Sequence, residues 1–314
     1  MNQFDALSQY TKIVVDTGDF NKIVSLSPQE ATTNPSLILK AIKNPEYAYI
    51  LKSSKLTSPT LTTSEKLDHL IVYFGSEILK RIPGRVSTEV DARASFNTEE
   101  TIHRGKRIIA LYEDVGIDRE KILIKIASTW EGIQAARVLQ SEGINCNLTL
   151  LFSIHQAIAC AQANVRLISP FVGRIYDWYK QAFGARWQEG GFEGLNDPGV
   201  RSVQEIYFYF KKFKFKTEIM GASFRNISQI QHLSGCDLLT ISPELLEELK
   251  RTTLPLPRAL SPEMCDSMDI KEITFNESEF RLAMNSNEMA NDKLSQGIRS
   301  FCHDTIELES MLSN

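Results

Sequence analysis

Short aliphatic and β-branched runs recur along the 314-residue chain, and a segment with helical spacing of apolar positions follows nearly every one. The runs fall at 12–16, 30–36, 85–91, 121–127, 145–152, 165–171, 217–223 and 237–243. Residues 1–10 read as a leading helix. Helices are predicted over 36–54, 64–81, 97–114, 130–142, 153–163, 202–213, 227–234, 244–251 and 288–310. Asn97-Thr-Glu-Glu100 is a helix start and Gly143 a helix stop. The Ser/Thr/Pro-rich stretch 57–63 and the Pro-containing stretch 252–269 read as loops. Residues 173–199, rich in aromatics and glycine, read as a long connection.

Strands that alternate with helices pair in parallel through right-handed crossovers. Eight such units close into a (β/α)8 barrel, an α/β fold, here with additional terminal helices. The rival is a doubly wound open sheet. It is disfavoured because the chain carries no G-x-G-x-x-G after the first strand and no phosphate-binding P-loop. No clean linker divides the sequence, so residues 1–314 read as one barrel domain.

Composition adds limits. Hydrophobic residues make up 42% and charged residues 24%, ordinary for a globular enzyme. A net charge of -4 gives no footprint for nucleic acid or an anionic membrane. The five cysteines, 146, 160, 236, 265 and 302, lack metal or disulfide spacing and read as reduced thiols. No signal peptide and no transmembrane run is apparent, which points to the cytoplasm.

One residue breaks the apolar pattern. Lys125 stands among Ile122, Leu123, Ile124 and Ile126. A lone buried ammonium costs several kcal/mol in lost hydration. Two readings are open from this segment alone: the side chain snorkels to solvent, or it is held as a nucleophilic amine. The other strand ends add partners. Asp16, Asn34, Glu89, Asn147 with Thr149, Ser169 and Ser223 all sit at or near the ends where barrel chemistry is placed, and Arg174 and Arg225 follow the sixth and seventh runs. Each alone has a structural reading as a cap, a surface ion pair or a solvated charge. Together they suit covalent catalysis on a carbonyl. Lys125 would form an iminium ion with a ketone, Asp16 and Glu89 would move protons, and Thr149 would hold a water through which Glu89 relays them. Asn34 and Asn147 would bind hydroxyls, and the arginine forks match a phosphate.

Seven blocks then match a known family in its order. They are Asp16-Thr-Gly-Asp19, Ala31-Thr-Thr-Asn34-Pro-Ser-Leu37, Gly84-Arg-Val-Ser-Thr-Glu89-Val-Asp91-Ala-Arg93, Ile122-Leu-Ile-Lys125-Ile-Ala-Ser-Thr-Trp130, Gly143-Ile-Asn-Cys-Asn147-Leu-Thr149-Leu-Leu-Phe152, Ile168-Ser-Pro-Phe171-Val-Gly-Arg174 and Met220-Gly-Ala-Ser223-Phe-Arg225-Asn226. In these the chain resembles the larger transaldolases of the class I aldolase group. The resemblance implies Lys125 as the Schiff-base lysine and Asp16 as the acid/base of bond cleavage, with Glu89 and Thr149 on the catalytic water. It implies Asn34, Asn147 and Ser169 on the dihydroxyacetone unit and Arg174, Ser223 and Arg225 on the phosphate, with Phe171 also at the substrate. It further implies the non-oxidative pentose phosphate pathway, sugar-phosphate substrates, no cofactor or metal, and a homodimer. The reaction implied carries dihydroxyacetone from sedoheptulose 7-phosphate to glyceraldehyde 3-phosphate, giving erythrose 4-phosphate and fructose 6-phosphate. Residues 181–196 and 252–269 match no motif of the family. Two alternatives accompany this reading. Fructose 6-phosphate aldolase-like enzymes release dihydroxyacetone and carry Gln and Tyr where this chain has Glu89 and Phe171. A non-catalytic sugar-phosphate-binding barrel would form no adduct.

Overall fold

The computed structural model describes residues 1–313. Its strands are β1 (Lys12–Asp16), β2 (Glu30–Thr32), β3 (Val86–Glu89), β4 (Ile122–Ala127), β5 (Cys146–Leu151), β6 (Leu167–Pro170), β7 (Glu218–Gly221) and β8 (Leu238–Ile241). They pair in parallel in sequence order, and β8 returns to β1, so the sheet closes into the (β/α)8 barrel that the alternation predicts. The helices are α1 (Gln3–Leu7), α2 (Phe20–Leu26), α3 (Pro35–Ile42), α4 (Thr63–Leu79), α5 (Thr98–Asp114), α6 (Trp130–Ser141) and α7 (Ile154–Gln162). There follow α8 (Gly173–Phe183), α9 (Pro198–Lys212), α10 (Ile227–Gln231), α11 (Pro243–Arg251), α12 (Glu277–Ser286) and α13 (Glu288–Ser313).

Three stretches depart from the sequence expectation. The helix predicted over 36–54 stops at Ile42, because Asn44-Pro45 opens a new turn and Pro45 removes a helical donor. The stretch read as a connection at 173–199 begins with an eleven-residue helix, α8. Helix α12 was not foreseen, although Asn276 and Glu279 form a capping box at its start.

Alternation along the strands sorts the barrel into layers. One set, including Ile13, Val15, Ile122, Ile124 and Ile126, faces the surrounding helices in the main core. The opposite set fills the interior. Lys12, Glu30 and Glu218 open their strands, and Arg85 and Arg166 precede theirs, so these five gather at the N-terminal end in one ion-pair network. Above them Val14, Leu123, Leu167, Met220 and Leu238 form a separate apolar layer. The layer keeps the lower charges apart from the polar groups nearer the mouth, which strengthens fields there because charges interact more strongly in low dielectric.

Helix α13 crosses the C-terminal end of the barrel. Its Asp304 accepts from Ser36 at the start of α3, and its Glu309 pairs with Arg93 at 2.6 Å, just past β3. Gly297 lets the helix lie close to β5: a Cβ there would stand 2.6 Å from Leu150 Cδ2 and would push that side chain aside. Leu150 itself has φ +51°, where the β5–β6 register shifts and the strand is irregular. Among the described residues no helix is long and apolar enough to cross a membrane.

Candidate active site

The sequence positions the central groups through strand register. Glu89, Lys125 and Asn147 are lateral partners on β3, β4 and β5, so their side chains project to the same side of the sheet. Lys125 is 5% exposed, yet it is not alone. Its Nζ lies 3.2 Å from Glu89 Oε2 and donates to the Thr33 carbonyl at 3.0 Å. The amine is thus held inside the barrel rather than snorkelling out.

Asp16, at the end of β1, faces the same space. Thr32 Oγ1 donates to Asp16 Oδ1 at 2.8 Å and lies 2.9 Å from Thr240 Oγ1. Burial raises the Asp16 pKa, against the opposing charge of Lys125 and the Thr32 hydrogen bond. Burial likewise raises that of Glu89, with Lys125 again opposing. Thr149 Oγ1 is buried without a hydrogen-bond partner, and so is Glu89 Oε2, whose approach to Lys125 is an ion pair rather than an aligned hydrogen bond. Orphaned buried oxygens are rare and call for a structural or catalytic account.

A narrow cleft of about 50 Å³ opens over these groups. Asp16, Asn34, Lys125, Thr149, Ser169, Phe171, Arg174 and Ser223 line it. Of the residues singled out in the sequence, Glu89, Asn147 and Arg225 do not. Glu89 is buried beside Lys125, its neighbour on the adjacent strand. Asn147 is fully buried: its Nδ2 donates to Ser87 Oγ at 3.0 Å and its Oδ1 accepts from Ser169 Oγ at 2.6 Å. Asn34 Oδ1 caps α3 by accepting from the Leu37 amide at 2.9 Å. The cleft also takes Thr32, Met220, Ala222 and Thr240, which the sequence did not single out.

The outer wall is cationic. Arg174 Cζ sits 5.0 Å from the Phe171 ring centroid and 5.8 Å from that of Phe301 on α13. Burial, then the neighbouring charge of Arg225, lowers its pKa. Ser223, just past β7, has φ +64°, and Arg225 Nη1 lies 3.3 Å from its Oγ. The close approach of α8 to this turn requires glycine: a Cβ on Gly173 would meet the Ser223 carbonyl oxygen at 2.3 Å. Among the described residues no cluster of His, Cys, Asp and Glu is arranged to hold a metal ion.

A buried lysine flanked by two carboxylates at the C-terminal mouth of a parallel barrel, below an arginine-lined rim, defines a (β/α)8-barrel enzyme with aldolase-type activity. The family model described as transaldolase/fructose-6-phosphate aldolase matches residues 13–312. The chain belongs to that family.

Proposed function

We propose that the protein is a transaldolase that works through a Schiff base on Lys125. The observation that carries this reading is the Lys125–Glu89 contact beside Asp16 in a narrow, buried cleft. Lys125 attacks as the free amine, and Glu89 is the base in contact with it. Nζ adds to the ketone carbon of the donor sugar phosphate. The resulting carbinolamine loses its hydroxyl as water, protonated through Glu89 and a water held with Thr149, and leaves an iminium ion. Asp16 then takes the proton of the C4 hydroxyl, the C3–C4 bond breaks, and its electrons move into the iminium to give an enamine. The aldehyde fragment leaves. An incoming aldehyde adds to the enamine, and hydrolysis returns the free lysine. Ser169 and Asn34 contact the three-carbon unit, Asn147 orients Ser169, and Phe171 walls the cleft. Arg174, Ser223 and Arg225 take the phosphate.

Transfer is favoured over release by Phe171. Its ring packs edge-on to Phe152 at 5.2 Å and brings no hydroxyl to protonate the enamine. Donor and acceptor are then the sugar phosphates of the non-oxidative pentose phosphate pathway. The test is incubation of fructose 6-phosphate with and without erythrose 4-phosphate, with borohydride trapping and peptide mapping. Acceptor-dependent turnover and a reduced three-carbon adduct on Lys125 are expected. Turnover without acceptor would give the fructose 6-phosphate aldolase activity instead, and an adduct elsewhere would refute the mechanism.

A further inference from the structure

The two arginines at the rim are in opposite states. Arg174 makes no hydrogen bond or ion pair with the described residues and is braced by two aromatic rings. Arg225 is engaged at all three nitrogens. Its Nη2 donates to Asp177 Oδ2 at 2.7 Å, and its Nε donates to the same oxygen at 3.1 Å. Its Nη1 reaches the Ser223 carbonyl at 3.4 Å and Oγ at 3.3 Å. The fork that would grip a phosphate is therefore filled by a carboxylate of this chain, in the same side-on geometry that a phosphate would use.

We propose that Asp177 is a placeholder anion: it occupies Arg225 in the unliganded enzyme and is displaced by the phosphate of the substrate. This inference rests on the reading of Arg174 and Arg225 as the phosphate site. The geometry makes exchange feasible. Both side chains of the pair are about two-fifths exposed, at 40% and 43%, and exposed ion pairs are weak. Asp177 has a second cation nearby. Trp178 Nε1 donates to Asp292 Oδ2 at 3.0 Å, which ties this part of α8 to the start of α13 beside Lys293. Lys293 feels the charges of Asp177, Arg174 and Arg225 together. Around two carboxylates, Asp177 and Asp292, then, stand three cations, Arg174, Arg225 and Lys293, an excess of one positive charge that suits an added anion. A phosphate dianion brings more charge than the carboxylate that it replaces. A sugar carboxylate would exchange like for like and gain little, so the placeholder also selects for phosphate.

An occupied arginine lowers apparent affinity by the fraction of molecules in which it is free. Removing the placeholder's charge should therefore tighten binding. The experiment compares wild type, Asp177→Asn, Asp177→Ala and Arg225→Ala, reading KM for fructose 6-phosphate at saturating erythrose 4-phosphate and competitive inhibition by inorganic phosphate. For both Asp177 variants KM and the inhibition constant should fall together, by roughly 1.5- to fivefold for a pair of this weakness. Values that stay the same or rise would overturn the proposal and make Asp177 a brace that orients Arg225. Arg225→Ala should raise both constants. If it leaves them unchanged, the phosphate site itself is misplaced, and the placeholder role falls with it.

Discussion

Lys125 Nζ and Glu89 Oε2 stand 3.2 Å apart inside the barrel, joined by the register of β3 and β4. Glu89 is 7% exposed, and its carboxyl is pushed above the usual range by that burial. A carboxyl raised in this way holds a proton more readily than an exposed one, which suits a group that must accept a proton and return it. Glu89→Gln keeps the shape and removes this capacity. Adduct formation on Lys125 should slow by about 10²- to 10⁴-fold, the ordinary worth of a positioned acid/base. Rapid-quench borohydride trapping reads that rate directly, and trapping at the wild-type rate would remove Glu89 from the mechanism.

The same contact predicts a stability effect. Lys125→Met fits the apolar strand but strands Glu89 as a buried anion. Breaking a buried pair from one side costs about 3–5 kcal/mol. Burial raises the Glu89 pKa, and the positive charge of Lys125 is the chief influence holding it down, so the upward shift grows once Lys125 is gone. A carboxyl raised in the folded state contributes stability below its unfolded pKa, and that contribution is lost as pH rises through the folded value. The single variant should thus melt lower than wild type at pH 8 and regain much of the difference toward pH 5. Lys125→Met/Glu89→Gln should show no such dependence at this site. Calorimetry across pH decides it; a flat difference would mean that Glu89 is not buried as a charge.

Thr32 yields the next prediction. It was not visible in the sequence as a site residue, because a threonine in a β-strand is ordinary. Here its hydroxyl links Asp16 to Thr240. Thr32→Val deletes the donor and leaves the volume. The hydrogen bond holds the Asp16 pKa down against burial, so its loss should move that pKa further up. Asp16 must be ionised to take the hydroxyl proton. The acid limb of the kcat profile should therefore shift to higher pH, while the alkaline limb stays in place. An unshifted acid limb would separate Asp16 from that step.

Much of the architecture was legible because eight β-branched runs alternate with helices, and closure follows from that count. Lys125 was legible as a charge where burial forbids one, and Asp16, Asn34 and Glu89 as polar strand ends. Side-chain direction was not. Asn147 sits at the right level but spends its amide on Ser87 and Ser169, which only the register reveals. Asp177 was hidden in a stretch that read as connection, since the aromatic and glycine content that follows it masks the helical spacing of α8. A wall shared by two distant segments leaves no trace in local pattern.

Gly173 shows such a wall and gives the last prediction. It lies where α8 starts against the turn after β7, and its amide donates to the Ser223 carbonyl at 2.7 Å. A Cβ there would meet that oxygen at 2.3 Å, and Arg225 Cγ at 2.7 Å. The first neighbour is backbone and cannot swing aside as a side chain would. Gly173→Ala must therefore move the Ser223 turn, which already holds a left-handed φ, and carry Arg225 with it. Lys125, Glu89 and Asp16 lie deeper in the barrel and on other strands. The expected outcome is a KM for fructose 6-phosphate raised at least tenfold, with far less change in the rate at which Lys125 is trapped by unphosphorylated dihydroxyacetone. Equal loss of both would show that the distortion reaches the lysine. An unchanged KM would show that the turn does not hold the phosphate.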